Sequence, residues 1–181
     1  MSFPEPWDSH PHIWKTKSAF FTYLRGAIRK AVWSQYPAKL DFKNKEVDLP
    51  PDGYEGRAKS GKHCALSGEW IGKSKLEVDH IKGNVSLKGW EDLLNFTQHM
   101  CKVEGNLQLV GKEPHKIKSY AEKQGITYAE AVVQKKKIAF FNDNTTDQAK
   151  VKLRSLGATE EEVKNKETRE SAYFKYIARE V

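Results

Sequence analysis

Apolar positions along this chain change their spacing several times, and each change marks an element. Over residues 14–35, Phe20, Phe21, Leu24, Ile28, Ala31 and Val32 recur at the steps of one helix face. The lead-in before it, with Pro4, Pro6 and Pro11, reads as irregular. Residues 36–61, punctuated by Pro37 and by Pro50-Pro51-Asp52-Gly53, read as a loop-rich linker with one short extended piece. Residues 62–66 and 75–81 then read as two strands around Ser67-Gly68, a hairpin that ends at Asp79-His80. Residues 90–102 have helical spacing. After Gly105 come a strand over 106–110 and a helix that begins near Pro114 and stops at Gly125.

Beyond that glycine the pattern is helical throughout. Thr127-Tyr128-Ala129-Glu130 is a capping box for a helix to about residue 141, because a threonine hydroxyl and a glutamate three residues on can cap each other's backbone N–H. Thr145-Thr146-Asp147-Gln148 and Thr159-Glu160-Glu161-Glu162 offer two further starts. The pattern therefore predicts an α+β chain in three parts: a basic helical arm and linker over 1–61, a mixed core over 62–125, and an all-helical extension over 126–181.

Charge adds a partner class. Among 181 residues, 31 Lys plus Arg stand against 24 Asp plus Glu, a net charge of +7, which favours a polyanion. The surplus is clustered: Arg25, Arg29 and Lys30 share the first helix with Lys15 and Lys17 and no acid, and Lys135, Lys136 and Lys137 form a run in the extension. Each cluster reads either as a solvated face or as a phosphate contact. No apolar run nears the roughly 18 residues that cross a bilayer, and no export signal opens the chain, so a cytoplasmic protein with no membrane partner is expected. Cys64 and Cys101 make no disulfide framework.

The candidate chemistry lies between Leu76 and Ser119. Asp79 is a hard oxygen donor suited to Mg2+ or Mn2+. His80, its neighbour on an extended backbone, points to the opposite side and titrates near neutrality, as a general base must. His115, just after Pro114, can approach the same ion from a second element. Taken alone, an adjacent Asp-His pair is more often a surface accident or a satisfied core histidine.

Asp79-His80-Ile81, then Asn106-Leu107-Gln108, then His115-x-x-Lys118-Ser119 resembles the motif of the HNH endonucleases, whose fold is the ββα-metal finger. The resemblance covers roughly residues 62–120. It implies that His80 is the general base, that Asp79 and His115 hold one divalent ion, and that Asn106 fixes the loop that aims His80. It further implies that Lys116 and Lys118 lie beside a phosphate and that the substrate is double-stranded DNA, cut by a monomer or a homodimer. Free-standing HNH proteins with basic extensions are similar to phage-encoded and homing-type enzymes.

Two departures stand out. Many members carry two Cys-x-x-Cys knuckles around a structural zinc; here the positions read Cys64 with Ser67 and Gly111 with Pro114, so no structural zinc is expected. Trp90, Leu93, Leu94 and Phe96 are expected to replace that staple with an apolar core. Ser119 stands where some relatives of the fold place a further histidine. The alternatives are a catalytically idle DNA-binding module of the same fold and a nuclease acting on RNA.

Overall fold

A computed structural model describes residues 3–83 and 85–178. The chain divides into two compact units, residues 1–115 and 116–181, so the arm, the linker and most of the mixed core belong to one body.

The first unit opens with a short helix α1 (Pro6–Ser9) inside the segment read as irregular, with Pro6 at its first position, where the missing N–H costs nothing. Helix α2 (Lys17–Ala31) follows, capped by the Thr16 hydroxyl, which accepts from Ala19 N at 3.1 Å. A second proline explains the larger departure. Pro37 does not punctuate a linker but starts helix α3 (Pro37–Lys45), so the segment read as loop holds a nine-residue helix.

Strand β1 (Gly61–His63) pairs antiparallel with β2 (Trp70–Gly72), and not with residues 75–81 as the sequence reading had it. The turn closes tightly: Gly68 N donates to the Cys64 carbonyl at 2.8 Å, and Gly68 sits at φ 73°, where a side chain would be strained. A 3-10 turn at Lys73–Lys75 then redirects the chain. Strand β3 (Leu76–His80) finds its partner far along the sequence in β4 (Leu107–Gly111), with Val78 opposite Leu109 and Asp79 opposite Gln108.

That pairing follows from burial. Leu76 and Val78 line one face of β3, Leu107 and Leu109 the matching face of β4, and the four form a core with Trp33, Phe42 and Ile71 against it. Between the strands lies α4 (Leu93–Cys101), preceded by a 3-10 turn at Trp90–Asp92. Its Phe96 packs with Phe20 and Phe21 of α2, and Trp90 meets Phe20 at a tilt and Phe21 edge-on, with centroids 5.5 and 5.1 Å apart. Trp90, Leu93 and Phe96 thus join an apolar cluster that anchors the arm, while Leu94, expected with them, is exposed. Helix α5 (Lys112–Gln124) begins at the residue after β4 ends, with no loop between them.

The second unit continues with α6 (Tyr128–Asp143), α7 (Thr146–Ser155), α8 (Glu160–Val163) and α9 (Lys166–Tyr176). The three expected capping boxes form at Thr127, Thr145 and Thr159, and a fourth at Asn165. Leu153, Ala158, Val163 and Ala172 make its core, with Phe140 and Tyr176 packed on them. Among the described residues no helix is long and apolar enough to cross a membrane.

Candidate active site

Strand alternation sorts the residues first. On β3 the side chains of Leu76, Val78 and His80 take one face, and Glu77 and Asp79 the other. Helix α5 starts directly from β4, which pairs with β3, so its first turn brings His115 over that second face. His115 Nε2 lies 3.3 Å from Asp79 Oδ1, and His115 Nδ1 lies 2.7 Å from Glu77 Oε2. The opposite Asp79 oxygen, Oδ2, accepts from Gln108 Nε2 at 2.9 Å. With only 9% of its surface exposed, Asp79 is the buried charged residue of the site.

Both ring nitrogens of His115 face carboxylates, and its pKa is pushed up to about 9. The hydrogen bond to Asp79 contributes most, burial opposes it, and Glu77 adds to the rise. Glu77 is the nearer partner, yet Asp79 dominates because its side chain is 10% exposed against 43% for Glu77, so water screens it less. Without an ion, His115 is an imidazolium held between two carboxylates.

The donors suit a hard divalent cation. Two ligands about 2.1 Å from one ion and at right angles lie about 3.0 Å apart, close to the separation of Asp79 Oδ1 and His115 Nε2. Among the described residues no third His, Cys, Asp or Glu completes a cluster with them. A cation held at this pair would thus meet two protein ligands, and the rest of its shell would have to come from other oxygens.

His80 sits on the other face. Its ring packs on Trp33 with centroids 4.5 Å apart, and His99 stands 5.5 Å away. His80 Nε2 is 3.3 Å from the Met100 carbonyl of α4. A carbonyl can only accept, so His80 Nε2 is the donor in this contact. Asn106 binds the backbone just beyond: its Oδ1 accepts from Lys82 N at 2.8 Å, its Nδ2 donates to the Lys82 carbonyl at 3.4 Å, and its own carbonyl accepts from Ile81 N at 2.9 Å. The asparagine thereby fixes the exit of the chain from β3.

Where zinc cysteines would stand, hydrogen bonds join the same positions. Cys64 Sγ accepts from Gly111 N at 3.3 Å. Burial pushes the Cys64 thiol up, but hydrogen bonds from Ser67, then Gly111 and Leu66, outweigh it and hold the thiol below its ordinary value. The hairpin turn thus clips to the β4–α5 junction.

The basic residues fare differently. Arg25 is half-buried, Lys30 is exposed, and the Arg29 guanidinium lies over the Phe96 ring at 5.8 Å. Lys118 pairs with Glu122 at 3.0 Å and Lys137 with Glu170 at 2.7 Å, leaving their side chains 13% and 15% exposed. Lys135 lies over the Tyr120 ring at 4.7 Å, while Lys116 and Lys136 are at the surface or close to it.

Sequence reasoning missed Glu77 and Trp33. Glu77 had a signal: it precedes Asp79 by two residues, which puts both carboxylates on one face of any strand. Trp33 had none, since only the tertiary packing brings it to His80. Comparison of the chain with family models, with curated proteins and with solved structures finds no match in any of the three.

Proposed function

We propose that the protein is a metal-dependent endonuclease of the HNH type that hydrolyses DNA phosphodiester bonds. The observation that carries this reading is the approach of Asp79 and His115 to 3.3 Å from a strand and a following helix, with His80 fixed on the adjacent strand position. Strands β3 and β4 with helix α5 then correspond to the ββα finger, with α4 inserted between the strands.

In this reading His80 takes the proton of the attacking water, its ring held by the contact of Nε2 with the Met100 carbonyl. Asn106 holds the loop after His80 so that the ring cannot drift from the scissile phosphate. Asp79 and His115 would hold one Mg2+ or Mn2+, which when bound neutralises charge on the phosphoryl oxygens and on the leaving 3′ oxygen. Glu77, by accepting from His115 Nδ1, keeps Nε2 turned toward Asp79. Arg25, Arg29 and Lys30 on α2 and Lys135 and Lys136 on α6 are the cations that would meet phosphates; Lys118 and Lys137 would first have to leave Glu122 and Glu170.

A second reading has a specific observation behind it. The Glu77–His115–Asp79 bridge satisfies all three side chains without an ion and can serve as a staple between α5 and β3 in a DNA-binding module that does not cut. A supercoiled-plasmid assay with Mg2+ or Mn2+ separates the two. Wild type is expected to nick and the His80→Ala variant to leave plasmid intact; equal inertness with retained gel shifts favours the binding module. One site per chain nicks one strand, and a double-strand break then needs two chains.

A further inference from the structure

Beside the candidate active site the first unit carries a cleft of about 970 Å3, and Glu77 and Pro114 form part of its wall. A second cleft of about 530 Å3 continues from it, the two sharing Ala58 and Ser74. Their linings differ in kind. The larger holds an aromatic pair, Tyr54 and Trp70, with ring centroids 4.3 Å apart, and its cations Arg57, Lys75 and Lys112 are matched by Glu69, Glu77 and Glu113. The smaller is lined by Lys43, Lys59 and Lys73 with two serines and no acid.

Lysines elsewhere in the chain are commonly paired: Lys45 with Asp41, Lys62 with Asp48, Lys137 with Glu170. Among the described residues, the three lysines of the smaller cleft meet no carboxylate. Lys43 donates to the Leu76 carbonyl and Lys73 to Asn44 Oδ1, both neutral acceptors that leave the charges uncompensated. An aromatic cleft near electrical balance suits a base, and an adjoining lysine cleft suits its phosphates.

Resting on the nuclease reading, we propose that this joined cleft carries an unpaired segment of the DNA strand that leads to the cut, with one base stacked at Tyr54–Trp70 and the flanking phosphates on Lys43, Lys59 and Lys73. The occupant is unpaired because bases inside a duplex are stacked on each other and offer no face to a side chain. Strand ends, flaps and branch points present such a segment; an intact duplex does not.

The test is fluorescence anisotropy with the full chain in EDTA, so that no cutting intervenes. The probes are fluorescein-labelled oligothymidylate and a blunt duplex of equal length. The single strand is expected to bind at least about tenfold more tightly than the duplex. Tyr54→Ala should weaken it by about fivefold or more, whereas Trp70→Phe, which keeps a stacking face, should bind within about twofold of wild type. The Lys59→Gln/Lys73→Gln pair should make the slope of log affinity against log salt shallower by about 1.4.

Tyr54 is 38% exposed, Lys59 is exposed and Lys73 is half-buried with a single neutral side-chain partner in Asn44, so circular dichroism is expected to show all variants folded. The proposal is overturned if the groove variants bind oligothymidylate as wild type does. It is equally overturned if the blunt duplex binds as tightly as the single strand, or if oligouridylate outcompetes oligothymidylate. Plasmid nicking is scored apart: nicking with unaltered groove variants sinks this inference alone, and groove-dependent binding without nicking sinks the nuclease reading alone.

Discussion

Loading the site with a cation must evict a proton. His115 points Nε2 at Asp79 and Nδ1 at Glu77, and with both carboxylates in place its pKa is pushed up to about 9. A metal needs the Nε2 lone pair, so cation and proton compete for one atom. At pH 7 about one ring in a hundred has released its proton, which weakens the apparent affinity by up to about a hundredfold relative to the deprotonated site. His115 is 33% exposed, so solvent screening trims this to between about ten- and a hundredfold. Binding of Mn2+, followed by electron paramagnetic resonance of the free ion at pH 6.5, 7.5 and 8.5, should tighten by about tenfold per pH unit over that range. The His115→Ala variant should bind more weakly and lose most of the slope. An affinity that stays flat over the same range, or a slope untouched by His115→Ala, would refute the competition and with it the assignment of Nε2 as a ligand.

The ion-free protein should show the reverse trend in stability. A folded pKa above the unfolded value of about 6.5 stabilises fully below pH 6.5 and loses that contribution as pH rises through about 9. Thermal melts in EDTA should therefore report a loss of about 1–2 kcal/mol between pH 6 and 9.5, allowing for screening, and the loss should shrink in His115→Gln. His80→Ala is expected to lower nicking by about 100-fold or more while moving the melting temperature little, since the ring is half-buried; a variant that cuts at the wild-type rate would remove His80 from the chemistry. Glu77→Gln should weaken Mn2+ binding by about tenfold through the loss of a charged partner to Nδ1, measurable by the same titration. Gly111→Ala places a methyl against Ile71 Cδ1 beside the Cys64 clip and should cost about 1–3 kcal/mol in urea unfolding; an unchanged midpoint would mean that the junction yields.

Strands β3 and β4 and helix α5 were legible because each carries its own local signal: alternating Leu76, Val78 and Leu107, Leu109, a proline at a helix start, a glycine after a helix end. The partner of β3 was not. Residues 62–66 were the nearest extended segment, and only the shared burial of Leu76, Val78, Leu107 and Leu109 shows that β4, across the α4 insertion, wins the pairing. Pro37 misled for a different reason: a proline breaks a helix from within but opens one at its first position, and the residues around it do not say which. Among the site residues, Asp79 and His115 come together across β3 and α5, and Asn106 binds the Lys82 backbone, contacts that the spacing of the three blocks along the chain does not itself display. Trp33 beneath His80 and the Tyr54–Trp70 pair arise from residues distant in sequence or set in irregular chain, where periodicity has nothing to report.

Asn106 meets the chain where it leaves β3 as well as where it enters β4, so the intervening stretch departs and returns through one gate. A segment whose two ends are pinned together can be lengthened, shortened or exchanged for another without shifting the register of the strands on either side. Chimeras that graft a different helix between Lys82 and Asn106, provided that they still present a carbonyl to His80 and a hydrophobic surface to Phe20 and Phe21, should therefore keep Asp79 and His115 in contact.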